Sequence, residues 1–486
     1  MVADIRHLLN TFNAAVQLPS DVLVMIPLFL PACDDLFAAS QICRRWRAIL
    51  VSSPLLWRRM DCRHLGKAVA SLERHRSVPL RLELDSDLST GALNMVLDSG
   101  GKISSVSAHL LPDQLRSLHP RLVTPSVEEL VLFIDESEVS TWKQNINVNI
   151  QGEFMFTHKL SVSGFLLPID RITAPNLIHL SLENTISGFS RITIQSVLKM
   201  LQGCSQLETV LINILSDGTG ELQSYSPVNL PKLRSVELGR TEVWAGLVFP
   251  LRFHPGVAVG FRNIPATQVT WPRKSIRHVL GMVDIGSVTL AHIRHSEDVG
   301  YDACLIRFEG STGSLEITVL EELGRDPFGP DGLLLSHSPR LENVKTLHVM
   351  NCHMSDNTLT AIASAMCNLV SISFIGHNEC LSSLGDSPTL FPHLEHIAGL
   401  PAAEDLIWVA RAREQYGMPL KALDIHDEPG HRATYLADLR KFVDDVRVWR
   451  CADLPKRWTG NALLDVWEAA GYHGPVRAEC CRRNEN

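Results

Sequence analysis

The chain has 20 histidines, 11 cysteines and 53 acidic residues, so the first matter is whether any stand at spacings that do chemistry. His393-x-x-His396 and His426-Asp427-Glu428-x-x-His431 have metal-compatible residue types. Strand alternation would put the first pair of imidazoles on opposite faces. The second run contains Pro429-Gly430, which reads as a loop and not as a ligand cage. Gly218-Thr219-Gly220 lacks the third glycine and the following helix signal of a phosphate cradle. There is no Gly-x-Ser-x-Gly elbow and no Walker loop. No cysteine–histidine spacing singles out a nucleophile with its base. The sequence therefore predicts no catalytic, cofactor-binding or metal-binding residues and a chain that is not an enzyme.

Composition narrows the remaining classes. A chain of 486 residues exceeds one ordinary core, which predicts several domains or an elongated repeat array. Its 45% hydrophobic and 20% charged residues are ordinary for a folded chain. A net charge of −8 disfavours a general nucleic-acid binder, which needs a basic face to displace counterions. The most apolar early stretch, Val22 to Pro31, is too short and too proline-rich to span a bilayer. Residues 1–16 lack the unbroken apolar run of a secretory signal. The expectation is a cytoplasmic or nuclear protein with no membrane partner. An odd number of scattered cysteines without Cys-x-x-Cys reads as reduced thiols in core positions.

Two kinds of element would position the polar residues. The first is a recurring shape: a leucine, two variable residues, then alternating apolar residues. It occurs at Asn176–Leu182, Gln206–Ile212, Lys232–Leu238, Asn343–Val349, Asn368–Phe374, His393–Ile397 and Pro419–Ile425. Leu177 and Leu207 are 30 positions apart, and Leu233 follows 26 later. Val344, Leu369, Leu394 and Leu420 follow one another at 25, 25 and 26. Helix-like stretches, Ile192 to Leu201 and Asp356 to Met366, fall between such runs. A strand–turn–helix unit of this length cannot bury its apolar side alone, so neighbours must stack. The residues between the apolar ones then share one polar face: His179, Ser181, Thr209, Ser235, Glu237, Thr346, His348, Ser371, Ser373, His396 and Asp424. Such a face suits recognition of a protein segment. It holds no Arg or Lys cluster of the kind that reads phosphate. Between Leu233 and Val344 the register is lost, which leaves open irregular repeats, an insertion or a separate β domain. The amphipathic run Tyr435 to Val443 and the strand-like Val446–Trp449 read as a terminal cap.

The second kind lies at the N-terminus. Leu18-Pro19 precedes an apolar segment running to Leu30, which Pro31 ends. Asp34 suits an N-cap, and Leu36, Ala39, Cys43, Trp46 and Leu50 form one stripe at steps of three or four. Ser53-Pro54 breaks the chain before Leu55-Leu56-Trp57. Three short helices in about 45 residues make a thin core that gains from a partner. Pro27 either ends the first helix early or kinks it.

The combination Leu18-Pro19-x-x-Val22-x-x-x-Ile26, Leu30-Pro31, Asp35-Leu36-x-x-Ala39-Ser40-x-Ile42-Cys43-Arg44-Arg45-Trp46-Arg47 and Ser53-Pro54-x-Leu56-Trp57 resembles the F-box motif. The repeats resemble leucine-rich repeats, with Cys352 where that family often has Asn or Cys. The resemblance implies an α/β fold in four parts: a leader at 1–16, a three-helix F-box at 17–62, a leucine-rich-repeat-like solenoid at 63–430 (irregular over 240–340), and a cap and tail at 431–486. It implies a Skp-type adaptor as partner and, through it, a cullin. The adaptor contacts would be Leu18, Pro19, Val22, Ile26, Leu30, Leu36 and Trp46. The function implied is substrate recognition for a ubiquitin ligase, with no cofactor. An F-box scaffold outside ubiquitin ligation, or an enzyme within 240–320, are the alternatives.

Overall fold

The computed structural model describes residues 18–29, 33–75, 77–111, 114, 127–134, 152–153, 157–163, 172–183, 194–213, 226–239, 246–252, 254, 256–265, 278–279, 285–294, 302–311, 313–320, 341–350, 355–375, 380–399, 403–426 and 432–449. The fold is mixed α/β, and most strand pairings are parallel. The chain divides into two compact units, one of residues 1–219 with 228–232, the other of 220–227 with 233–486.

The first unit opens with helix α1, Ser20–Leu28, with Pro19 as N-cap and Asp21 near the positive end of the helix dipole. Pro27 lies inside α1, which stops one residue later, at Leu28. Proline withholds one N–H from the turn before it, so placing it in the last turn confines the damage. The expected second helix is split. Helix α2 spans Cys33–Ala39, with both Asp34 and Asp35 in its first turn, so Asp34 is not the cap. The chain then turns, with the Ser40 hydroxyl donating to the Phe37 carbonyl at 2.7 Å. Helix α3, Arg44–Val51, restarts from an extended Cys43 whose thiol accepts from the Trp46 N–H. Local side-chain bonding of this kind competes with helix continuation. A short 3-10 turn, Pro54–Arg58, closes the module. Leu23, Leu36, Ala39, Trp46, Leu50, Leu56 and Trp57 form its core. The indole N–H of Trp57 donates to the Leu50 carbonyl at 2.8 Å.

The module runs without a linker into strand β1, Arg59–Asp61. Helix α4, Leu65–His75, packs back on it. The Arg74 guanidinium stands 4.4 Å from the Trp57 ring centroid, and Lys67 pairs with Asp34. The sheet continues with β2 Leu80–Leu84, β3 Ile103–Leu110, β4 Glu129–Ile134, β5 Lys159–Ser163, β6 His179–Glu183 and β7 Thr209–Asn213. Each pairs in parallel with the next. In-register pairing puts Met60, Leu82, Val106, Leu130, Leu160, Leu180 and Val210 in one buried column. A period of two turns the intervening residues to the other face. Helices α5, Thr90–Asp98, and α6, Ile194–Gln202, lie in the crossovers. Ser89 caps α5, and α6 buries Ile194, Val197, Leu198 and Leu201.

The second unit contains β8 Ser235–Gly239, β9 Ala258–Pro265, β10 Ile285–Arg294, β11 Asp302–Gly310, β12 Gly313–Leu320, β13 Thr346–Met350, β14 Ser371–Ile375, β15 His396–Gly399, β16 Ala422–His426 and β17 Asp445–Trp449. Its spatial order is β8-β9-β12-β11-β10-β13-β14-β15-β16-β17. Here lies the reason the repeat register could not be followed from Leu233 to Val344. Strand β11 runs antiparallel to both neighbours, and the β11–β12 hairpin closes on Gly310 and Gly313. A hairpin needs only a few turn residues, whereas a parallel crossover needs a dozen or more, so the spacing collapses.

From β13 onward the period returns. Leu347, Ile372, Ile397 and Leu423 stand in one buried column. Helix α7, Asp356–Ala365, is capped by Ser355 and buries Leu359, Ile362 and Ala363. Helices α8 Cys380–Asp386, α9 Ala403–Gln415 and α10 Arg432–Leu439 follow. Gly399 holds φ +142°, and a Cβ there would meet the Phe374 carbonyl oxygen at 2.0 Å. Arg413 on α9 is fully buried and donates to the carbonyls of Pro388, Leu390, Phe391 and Leu394. Burial without a carboxylate lowers its guanidinium to about 10.

Candidate functional site

Two surfaces stand out. The first is on α1. Its inner side, Leu23 and Pro27, is buried in the helical core. Its outer side is also apolar: Val22, Met25 and Phe29 fall at steps of three and four, and Met25 is 51% and Phe29 79% exposed. Leu28, Ile42 and Leu55 are exposed as well. A helix apolar all round belongs inside something larger.

Of the residues predicted to meet an adaptor, Pro19 and Val22 are exposed, and Leu18 and Ile26 are half-buried. The Leu18 carbonyl accepts from the Arg45 guanidinium at 2.7 Å, which fixes the approach to α1. Leu36 and Trp46 are buried in the core and present no surface, because the stripe that carries them turns inward. Leu30 falls outside the described residues. Sequence reasoning missed Met25, Leu28 and Phe29. The available signal was the uninterrupted apolar run, which leaves no polar side for α1.

The second surface is the polar face of the sheets. In the first unit His179 is exposed, and Ser181 and Thr209 are half-buried. The Nδ1 of His179 lies 2.8 Å from the Thr209 hydroxyl. Charged residues share this face. Arg59 pairs with Glu83, and Ser105 donates to Glu129 at 3.2 Å. In the second unit Ser235, Glu237, Thr346, His348, Ser371 and His396 are half-buried. Ser373 and Asp424, expected on the open surface, are instead buried at 6% and 8% exposure.

Hydrogen bonds across the strands satisfy these polar groups. His348 bonds Ser373 on the next strand. The Ser371 hydroxyl lies 3.0 Å from Nδ1 of His396, whose Nε2 lies 2.9 Å from Asp424 Oδ2. Burial pushes the His348 imidazole down from its ordinary value.

Among the described residues no group of three or more His, Cys, Asp or Glu could hold a metal ion. His393 lies just ahead of β15 and so does not share its strand with His396. Asp427, Glu428 and His431 of the second candidate run, Gly218-Thr219-Gly220 and Cys352 fall outside the described residues. The buried Cys204 thiol is pushed up to about 11, which keeps it a thiol and not a nucleophile. Among the described residues no helix is long and apolar enough to cross a membrane.

Residues 15–63 match the F-box-like family. The match spans α1, α2, α3, the 3-10 turn and β1, the segment whose helical core is described above. This chain thus carries an F-box-like domain at its N-terminal end. No curated protein matches the chain.

Proposed function

We propose that this chain is a substrate-recognition subunit of a Skp–cullin–F-box ubiquitin ligase. The F-box-like domain would bind a Skp-type adaptor, and the stranded body would hold a protein target. One observation carries the first half: α1 buries Leu23 and Pro27 yet exposes Val22, Met25 and Phe29. Covering that stripe with a partner groove recovers apolar burial that the chain alone forgoes, and helix-in-groove docking is the mode it fits.

The body reads as a leucine-rich-repeat-like array. The support is the column of in-register apolar residues at near-constant sequence spacing, with helices in the crossovers. Catalysis in this reading is positional: the receptor raises the concentration of target lysines near a ubiquitin-charged enzyme.

The test is co-expression of the full chain with a Skp-type adaptor, followed by affinity purification and calorimetric titration. Met25→Asp with Phe29→Asp should weaken adaptor binding at least tenfold while leaving the melting temperature within a degree or two, since both side chains are already exposed. Retention of wild-type affinity by that double variant would overturn the reading of α1.

A further inference from the structure

Across β14, β15 and β16 three side chains form a continuous relay of hydrogen bonds. The Ser371 hydroxyl lies 3.0 Å from Nδ1 of His396, and Nε2 of that ring lies 2.9 Å from Asp424 Oδ2. Strand register builds the relay. Ser371 and His396 are directly opposite, and Asp424 stands two residues along β16 from Ala422, the partner of His396. The imidazole thus reaches Asp424 on a diagonal flanked by Ala398 and Ala422, whose methyl groups leave it room. The two bonds fix the tautomer. Asp424 as a carboxylate only accepts, so Nε2 carries the proton of the neutral ring and Nδ1 presents its lone pair to the Ser371 O–H. Asp424 is buried, whereas Ser371 and His396 are half-buried, so the carboxylate is held inside and the hydroxyl is reachable. Sequence separations of 25 and 28 between these residues are why no local motif announces them.

We propose that Ser371, His396 and Asp424 form a hydrolytic site for acyl esters and thioesters, with Ser371 the nucleophile, His396 its general base and Asp424 the residue that positions the ring. Ser371 Oγ bonds to the acyl carbon while its proton passes to Nδ1 of His396. The carbonyl then re-forms, the bond to the leaving oxygen or sulfur breaks, and that atom takes the proton from Nδ1. Water adds to the acyl-serine and gives one proton to Nδ1. The carboxylic acid departs as Ser371 Oγ regains that proton. Thr346, the register partner of Ser371 on β13, brings one hydroxyl to the same row for the oxyanion. The backbone amides of these strands are engaged in the ladder, and one hydroxyl donor stabilises an oxyanion less than two amides do. The site therefore suits esters and thioesters, whose leaving groups need little help, and not amides. The neighbouring His348–Ser373 pair is built differently. Ser373 is 6% exposed, and the residue across from His348 on β10 is Thr289, which cannot hold an imidazolium as a carboxylate does.

The test treats the full chain with a fluorophosphonate, which phosphonylates activated serines with loss of fluoride, and maps the modified residue by peptide mass spectrometry. Ser371 should be modified and Ser373 should not. Para-nitrophenyl acetate should be hydrolysed faster than in buffer, and Ser371→Ala should abolish both labelling and hydrolysis. His396→Gln and Asp424→Asn should each lower the maximal labelling rate by about tenfold or more. For Asp424→Asn the half-saturating probe concentration should stay at the wild-type value, a split that loss of fold would not give. Ser373→Ala should leave labelling unchanged. An unlabelled Ser371 in the wild-type chain, equal labelling of Ser373, or a rate untouched by His396→Gln would each overturn the proposal. Labelling is read first on the wild-type chain, so the outcome stands whether or not a variant folds. It needs no adaptor, so failure of the receptor reading leaves it unaffected.

Discussion

The helical N-terminal module and the stranded body solve opposite surface problems. The module is small, and its helices turn apolar residues both inward and outward, as Leu23 and Met25 on α1 show. The body turns its apolar residues inward in columns and leaves a face of hydroxyls, imidazoles and paired charges. A three-helix module cannot cover two apolar sides of one helix, whereas a sheet with helices on one side covers one face of every strand. The contrast leaves an apolar surface open on the module and a polar one on the body.

The sharpest way to break that contrast is Trp57→Ala. Trp57 fills the helical core, donates to Leu50 and lies under Arg74 of α4, so it joins the module to the first strand. Removing a buried tryptophan should cost about 3–5 kcal/mol, read as a fall in the denaturant midpoint. If the body's transition stays put while the module's alone shifts, the join is weaker than its contacts indicate.

The polar face is next. His396→Ala removes one hydrogen bond to the buried Asp424 and one to Ser371, and should cost about 1–3 kcal/mol. Lys421→Ala at the exposed pair with Glu395 should stay within about 0.5 kcal/mol. Equal losses at the two sites would mean the cross-strand bonds contribute no more than an ordinary surface pair.

The smallest effect concerns pH. The folded-state value of His348 lies below its unfolded value of about 6.5. Its neutral form is therefore favoured by folding, and the unfolded chain takes up the proton first as pH falls. Stability should be full above about pH 6.5 and decline on acidification below it. His348→Gln should flatten that decline in melting temperature measured from pH 7.5 to 5.5. An unchanged slope would place the titrating group elsewhere.

Much of this was legible in the residues. The stripe Leu36, Ala39, Trp46 and Leu50 pointed to the core that forms, and Leu347, Ile372, Ile397 and Leu423 pointed to the sheet interior. What was not legible depends on chain segments meeting. The helix predicted to run through Ser40 to Cys43 is broken by side-chain bonds that local propensity does not count. Ser373 and Asp424 look exposed by alternation, yet both are buried and hydrogen-bonded to histidines on neighbouring strands.

The sequence by itself determined the α/β alternation, the apolar columns and the N-terminal helical motif, because period and spacing are properties of the local chain. Only the tertiary structure decided which side of α1 is left uncovered, that β11 reverses direction, and that Ser373 and Asp424 are buried. Those facts depend on register between strands far apart in sequence, which no local pattern encodes.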